Sequence, residues 1–160
     1  MNIDSGSMQA KIKNMIVEAI CFCLILLFMY AATSKLLDLE RFAVQIGQSR
    51  LLTEYSGVLA WAVPLVEVAV SIMLAISRLR LAGLYASFTI MLLFTGYIAL
   101  ILTSDDRVPC SCGGVLEMLG WQEHLIFNVF FVLLSFTAIA LHTKSEYTQS
   151  IKGAIRIPNK

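Results

Sequence analysis

The chain has 160 residues, of which 58% are hydrophobic and 14% charged, with a formal net charge of +1 and a mean hydropathy of +0.78. Soluble domains carry roughly 45–50% apolar and about 25% charged residues, so a soluble globular enzyme and a disordered tail are excluded. The small net charge supplies no field that would gather nucleic acid, and the length fits one small integral membrane domain.

In chain order, Met1 to Asn14 is polar and reads as a loose segment. A helix crosses the ~30 Å hydrocarbon core with about 20 apolar residues. Four stretches qualify: Met15–Leu37, Tyr55–Ser77, Leu81–Ser104 and Leu125–Thr143. Residues 144–160 form a C-terminal tail. No segment alternates like a membrane-barrel strand, so the expected fold is all-α, a four-transmembrane-helix bundle. The uncharged part of the first stretch, Ala19 to Ser34, is at the long limit for a signal-peptide core. No clear cleavage motif follows it, and it reads as a retained span. In the third stretch, Ala82 with Ala86 and Gly83 with Ser87 have the small-xxx-small spacing that lets helices approach. Chance occurrence in an alanine-rich span is the alternative.

Lys and Arg counts set the expected orientation. With the N-terminus inside, the inner side carries Lys11, Lys13, Arg78, Arg80, Lys144, Lys152, Arg156 and Lys160. The outer side carries only Lys35, Arg41, Arg50 and Arg107. Eight against four favours both termini inside, with the first and third loops outside. In a bacterial inner membrane those loops face the periplasm, where disulfides persist.

The first outer loop, Leu39 to Glu54, has Phe42 and Ile46 four apart. This spacing predicts an interfacial helix with its apolar face in the headgroups, as against a plain connector. The second outer loop, Asp105 to Glu123, contains Pro109-Cys-Ser-Cys-Gly-Gly114, with Trp121 suited to the membrane interface. Gly113 and Gly114 allow a sharp turn, and Val115, Leu116, Met118 and Leu119 suggest that the loop folds back onto the bundle.

The four cysteines divide into two kinds. Cys21 and Cys23 lie within the first span and, about 200° apart on a helix, cannot share a face. They read as small buried apolar residues. Cys110 and Cys112 sit in the outer loop. A C-x-C disulfide closes a small strained ring, which favours exchange over permanence. Arg107 and His124 are candidates to stabilise a thiolate there. A passive structural pair and a copper or zinc site with His124 are the alternatives, although C-x-C with one distant imidazole is a weak metal signal, and no metal site is expected.

Glu67 lies near the middle of the second span. A carboxylate at that depth is costly and faces the bundle interior or a polar cavity. Pro64 removes a helix hydrogen bond one turn before it. Lys35 is a candidate partner, but it sits near the outer end of its own helix and must reach. Asn128 follows His124 by four residues, on the same helix face. A structural interhelical hydrogen bond is the plain reading of Glu67; a proton relay is the functional one.

Taken together, Ser34-Lys-Leu-Leu-Asp-Leu-Glu-Arg-Phe-Ala-Val-Gln-Ile46, Pro64-Leu-Val-Glu-Val68, Pro109–Gly114 and His124-Leu-Ile-Phe-Asn128 resemble the MauE/DoxX family of redox-associated membrane proteins. The resemblance covers about Ala31 to Asn128. It departs at Ala31, Ala32 and Thr33, where the family often has a glycine before Ser-Lys. The resemblance implies a four-helix bundle tied to periplasmic thiol or electron-transfer chemistry. MauE is linked to maturation of a disulfide-rich periplasmic dehydrogenase, and DoxX is named for a quinone-reducing membrane complex. Carried over by residue, Lys35, Glu67, Cys110, Cys112, His124 and Asn128 are the positions of interest.

The expected function is thiol–disulfide redox exchange. Cys110, Cys112 and His124 would act on a periplasmic thioredoxin-like or cysteine-containing partner, with electrons passing to or from a carrier such as a quinone. Lys35, Glu67 and Asn128 would form the polar core. Relays of this kind commonly use two cysteine pairs, whereas the outer side here offers one. A non-enzymatic assembly subunit of a larger membrane complex is the alternative. A small transporter built on Glu67 ranks last, because no internal repeat is evident.

Overall fold

The computed structural model describes residues 4–47, 53–103 and 120–155. Cys110 and Cys112 lie outside the described residues. The described residues form five α-helices: α1 (Asp4–Leu37), α2 (Leu39–Gly47), α3 (Ser56–Ala75), α4 (Arg80–Thr103) and α5 (Trp121–Ile155). A 3-10 turn, Thr53–Tyr55, leads into α3. Among the described residues, four helices are long and apolar enough to cross a membrane, over Met8–Leu37, Thr53–Ala75, Arg80–Leu100 and Gln122–Thr143. These agree with the four spans read from the sequence.

The long helices run alternately up and down. The end of the bundle where α1 finishes is called the upper end below. Around the bundle, α1 packs on α3 and α5, and α4 packs on the same two. Only four residues, Ile76 to Leu79, join α3 to α4. Two backbone bonds close this turn, Ile76 N–H to the Ile72 carbonyl at 3.1 Å and Leu79 N–H to the Ile76 carbonyl at 2.9 Å. So short a connection makes the two helices antiparallel neighbours.

Gly83 marks where they touch most closely. A methyl group there would lie 3.0 Å from the Leu74 nitrogen and 3.1 Å from the Met73 carbonyl carbon. Ser87, one turn on, is fully buried, and its hydroxyl donates to the Gly83 carbonyl at 2.8 Å. Of the two small-residue pairs, Gly83–Ser87 therefore faces the neighbouring helix, whereas Ala82 is exposed. The lower and middle core is built from Val17, Ile20, Leu24 and Phe28 of α1 with Val70 and Leu74 of α3, Leu84 and Met91 of α4, and Ala138 and Ile139 of α5. On α1, α3 and α4 their spacing of three, four and seven is that of one helix face. Cys21 joins this core while Cys23 is exposed, as their angular separation requires.

Two expectations need correction. The segment before Asn14 is not loose: α1 already starts at Asp4. Met8, Gln9, Ala10, Lys11 and Lys13 are good helix formers, and no proline interrupts them. Past Thr143, α5 continues as far as Ile155, with no proline before Pro158, which extends the reading of a tail without opposing it. The other correction concerns the helix expected in the first outer loop, which exists but turns its apolar face inward. Phe42 and Ile46 are buried in a cluster with Ala60 of α3. Asp38 alone separates α1 from α2, and its side chain accepts from the Arg41 N–H at 3.4 Å as a helix cap. That one-residue hinge folds α2 back onto the bundle. At its far end the Thr53 hydroxyl donates to the Gly47 carbonyl at 3.0 Å, tying α2 to the start of α3.

Candidate functional site

Glu67 is 1% exposed, in the middle of α3. Pro64 precedes it by one turn and is itself buried, and it lacks the N–H that would bond to the Ala60 carbonyl. The Glu67 carbonyl accepts from the Ser71 hydroxyl at 2.9 Å. The Ser71 hydroxyl is thus bonded within the helix, as a hydrocarbon surrounding demands.

Lys35 solves the problem of reach by pointing backwards. Its Nζ lies 3.4 Å from the carbonyl of Ala31, one turn earlier in α1. Side chains on a helix tilt toward its N-terminus, so a lysine near the upper end delivers its ammonium deeper into the bundle. There it forms an ion pair with Glu67 Oε1 at 2.8 Å, with both side chains buried. Two rings close over the ammonium: Phe42 of α2, 5.7 Å from Nζ to its centroid, and Phe94 of α4 at 6.0 Å. Cations over ring faces are attracted by the ring quadrupole, most strongly where water is absent. The inward turn of α2 is what brings Phe42 there.

His124 and Asn128 stand one turn apart near the start of α5, and both are buried. Together with Lys35 and Glu67 they line one cavity of about 380 Å³, bounded by residues from all five helices. Its walls are otherwise mainly apolar, including Phe28, Ile46, Val63, Met91 and Ile98. A volume above about 300 Å³ is in the range of small-molecule pockets. Among the described residues, two polar atoms in this lining lack a hydrogen-bond partner: Glu67 Oε2, an acceptor, and Asn128 Nδ2, a donor. Buried polar groups are nearly always paired, so an unpaired donor and acceptor in one cavity mark a place for a molecule carrying the complementary groups.

Of the residues selected from sequence, the structure brings Lys35, Glu67, His124 and Asn128 together. Phe42, Phe94 and Tyr97 also line the cavity, although sequence reasoning did not select them for it. In an apolar chain with 10% aromatic residues, nothing distinguishes those rings from lipid-facing ones. At the lower end, Arg80 of α4 approaches Glu18 of α1 at 3.6 Å, a second pair that sequence reasoning did not anticipate. Among the described residues, no group of three His, Cys, Asp or Glu side chains is placed to hold a metal ion.

A family model described as methylamine utilisation protein MauE matches residues 13–141. The methylamine utilization protein MauE of Paracoccus denitrificans is 31% identical over 114 residues, which is 69% of this chain. The chain spans 61% of that relative's length. No solved structure matches the chain. The family match runs through all four long helices and takes in Lys35, Glu67, His124 and Asn128. By that match, the chain belongs to the MauE family.

Proposed function

We propose that this protein is an inner-membrane thiol–disulfide redox protein with both termini on the cytoplasmic side. Cys110 and Cys112 exchange with a periplasmic thioredoxin-like or cysteine-containing partner. A partner thiolate attacks the Cys110–Cys112 disulfide and forms a mixed disulfide, releasing one cysteine of the pair as thiolate. The partner's second thiol resolves it, leaving the partner oxidised and the pair as two thiols. Those two thiols return to the disulfide by giving two electrons and two protons to a membrane carrier such as a quinone, which becomes the hydroquinone. The relative potentials set the direction, and every step is reversible. His124 takes and returns a proton at the start of α5.

The observation that carries this reading is the buried polar cavity at the upper end. The segment holding both cysteines leaves α4 at Thr103 and enters α5 at Trp121, at that same end. A redox-passive anchor has no need of a buried ion pair and imidazole beside an apolar cavity. The relative's name, methylamine utilization protein, favours a second reading, an accessory subunit of a larger membrane system.

Single-cysteine variants separate the two. In intact cells, Cys110→Ser or Cys112→Ser should accumulate a covalent complex with a periplasmic protein, sensitive to reductant. The double variant should lose that complex while remaining inserted. Absence of any complex from both single variants, with the wild-type pair fixed in one redox state under oxidant and reductant alike, would leave the accessory reading in its place.

A further inference from the structure

Glu67 uses one carboxylate oxygen for Lys35, and among the described residues the other, Oε2, has no hydrogen-bond partner. Asn128 Nδ2 has none among them either. Both residues are more than nine-tenths buried, and both line the same cavity. One is an acceptor and the other a donor. A hydroxyl group carries both complementary functions, a proton to donate to Oε2 and an oxygen to accept from Nδ2. A carbonyl satisfies only Nδ2, and an acyl chain satisfies neither.

The rest of the cavity says what carries that hydroxyl. Phe42 and Phe94 line the cavity beside the ammonium and give its polar end aromatic walls that suit a flat ring. The remaining wall is mainly apolar and suits an alkylated body. Leu93 is part of the wall and is also 67% exposed on α4, so the cavity reaches the membrane-facing surface there. That is the route a lipid-soluble molecule with a long tail would use, with its ring inside and its tail in the bilayer.

We propose that this cavity binds the ring of a hydroquinone-class lipid, with one ring hydroxyl held between Glu67 Oε2 and Asn128 Nδ2. The assignment deepens the redox reading above and rests on it for the meaning of the bound ring, whereas binding itself involves no cysteine. Because the oxidised ring has no O–H to donate, the site holds the reduced form more tightly. A tenfold preference of that kind raises the midpoint potential of the bound two-electron couple by about 30 mV.

The test is a set of binding isotherms in phosphatidylcholine nanodiscs, with accessible thiols alkylated beforehand so that no exchange contributes. The probes are decylubiquinol, decylubiquinone and decylbenzene, which has the ring and tail without oxygen. Decylubiquinol should bind about tenfold or more tighter than decylbenzene, and tighter than decylubiquinone. Asn128→Ala should weaken decylubiquinol and decylubiquinone alike and leave decylbenzene unchanged, with the preference for the reduced ring, the thermal midpoint and the helicity retained. Should Asn128→Ala fail to fold, Val63→Phe, which fills the cavity from α3 with an apolar side chain, should weaken all three probes together. Equal binding of decylbenzene and decylubiquinol, or unchanged binding in folded variants, overturns the site. Failure here with a trapped mixed disulfide in cells leaves the redox reading standing without this site. Success here with no mixed disulfide keeps the site and removes the exchange.

Discussion

Lys35 and Glu67 hold opposite charges in a place that penalises each of them alone. Moving either out of water costs several kcal/mol, and their mutual attraction offsets that only when both are present. Glu67→Leu leaves the ammonium buried with no counter-charge and should destabilise the bundle by ~3–5 kcal/mol. Lys35→Met combined with Glu67→Leu removes both charges and should return stability to within about 1 kcal/mol of wild type or above it. Thermal midpoints in one detergent check both values. A double variant as unstable as the single one would mean that the side chains support the fold through something other than their pairing. A stable double variant that no longer binds decylubiquinol or traps a partner would assign the pair to function. This part of the site was legible in the sequence, because a carboxylate inside an apolar run has few places to go. The meeting of the two was not legible: helix geometry turns the Lys35 stem back toward the N-terminus of α1, but the level at which α3 presents Glu67 beside it is set by packing.

Among the elements, the α3–α4 hairpin and α2 show two degrees of legibility. The hairpin follows from two apolar runs and a short polar break, Ser77-Arg-Leu-Arg80. Small-residue spacing marked two candidate faces on α4 and did not choose between them; the four-residue turn chose by fixing the rotation of α4 about its axis. Gly83→Ala should therefore cost ~1–3 kcal/mol, because the added methyl meets Leu74 and Met73 backbone atoms that cannot rotate away. Gly96→Ala is the control on the same helix, where a methyl meets nothing within 4 Å. It should be neutral or stabilise by up to about 1 kcal/mol, since alanine orders a helix more readily than glycine. Equal shifts of the two midpoints would show that the close approach does not limit stability. For α2, the periodicity of Phe42 and Ile46 revealed a helix but not what covers its apolar face. Lipid headgroups and a protein surface select the same residues. The Asp38 hinge and the Thr53 tie decide it, and neither carries a signature strong enough to read beforehand.

At the scale of the whole molecule, four apolar runs made the bundle legible, while the cavity was not, since a void is the residue-by-residue outcome of which side chains fail to meet. The eight-to-four asymmetry of Lys and Arg predicts which way the bundle faces. A cysteine introduced at Glu54 should be labelled by an impermeant reagent added to spheroplasts, and one introduced at Arg78 only after lysis. The reverse pattern would put the C-x-C segment in a reducing compartment and remove the redox reading.

The ion pair also bears on how the protein is made. Lys35 precedes Glu67 by 32 positions, so the ribosome delivers the cation first. While α1 stands alone in the bilayer, its lysine lies within one turn of the helix end, where a flexible stem keeps the ammonium among the headgroups. The mid-span carboxylate has no such refuge, and it emerges when its counter-ion is already in position. The chain is written in the order that never leaves the less tolerant of the two charges waiting in hydrocarbon.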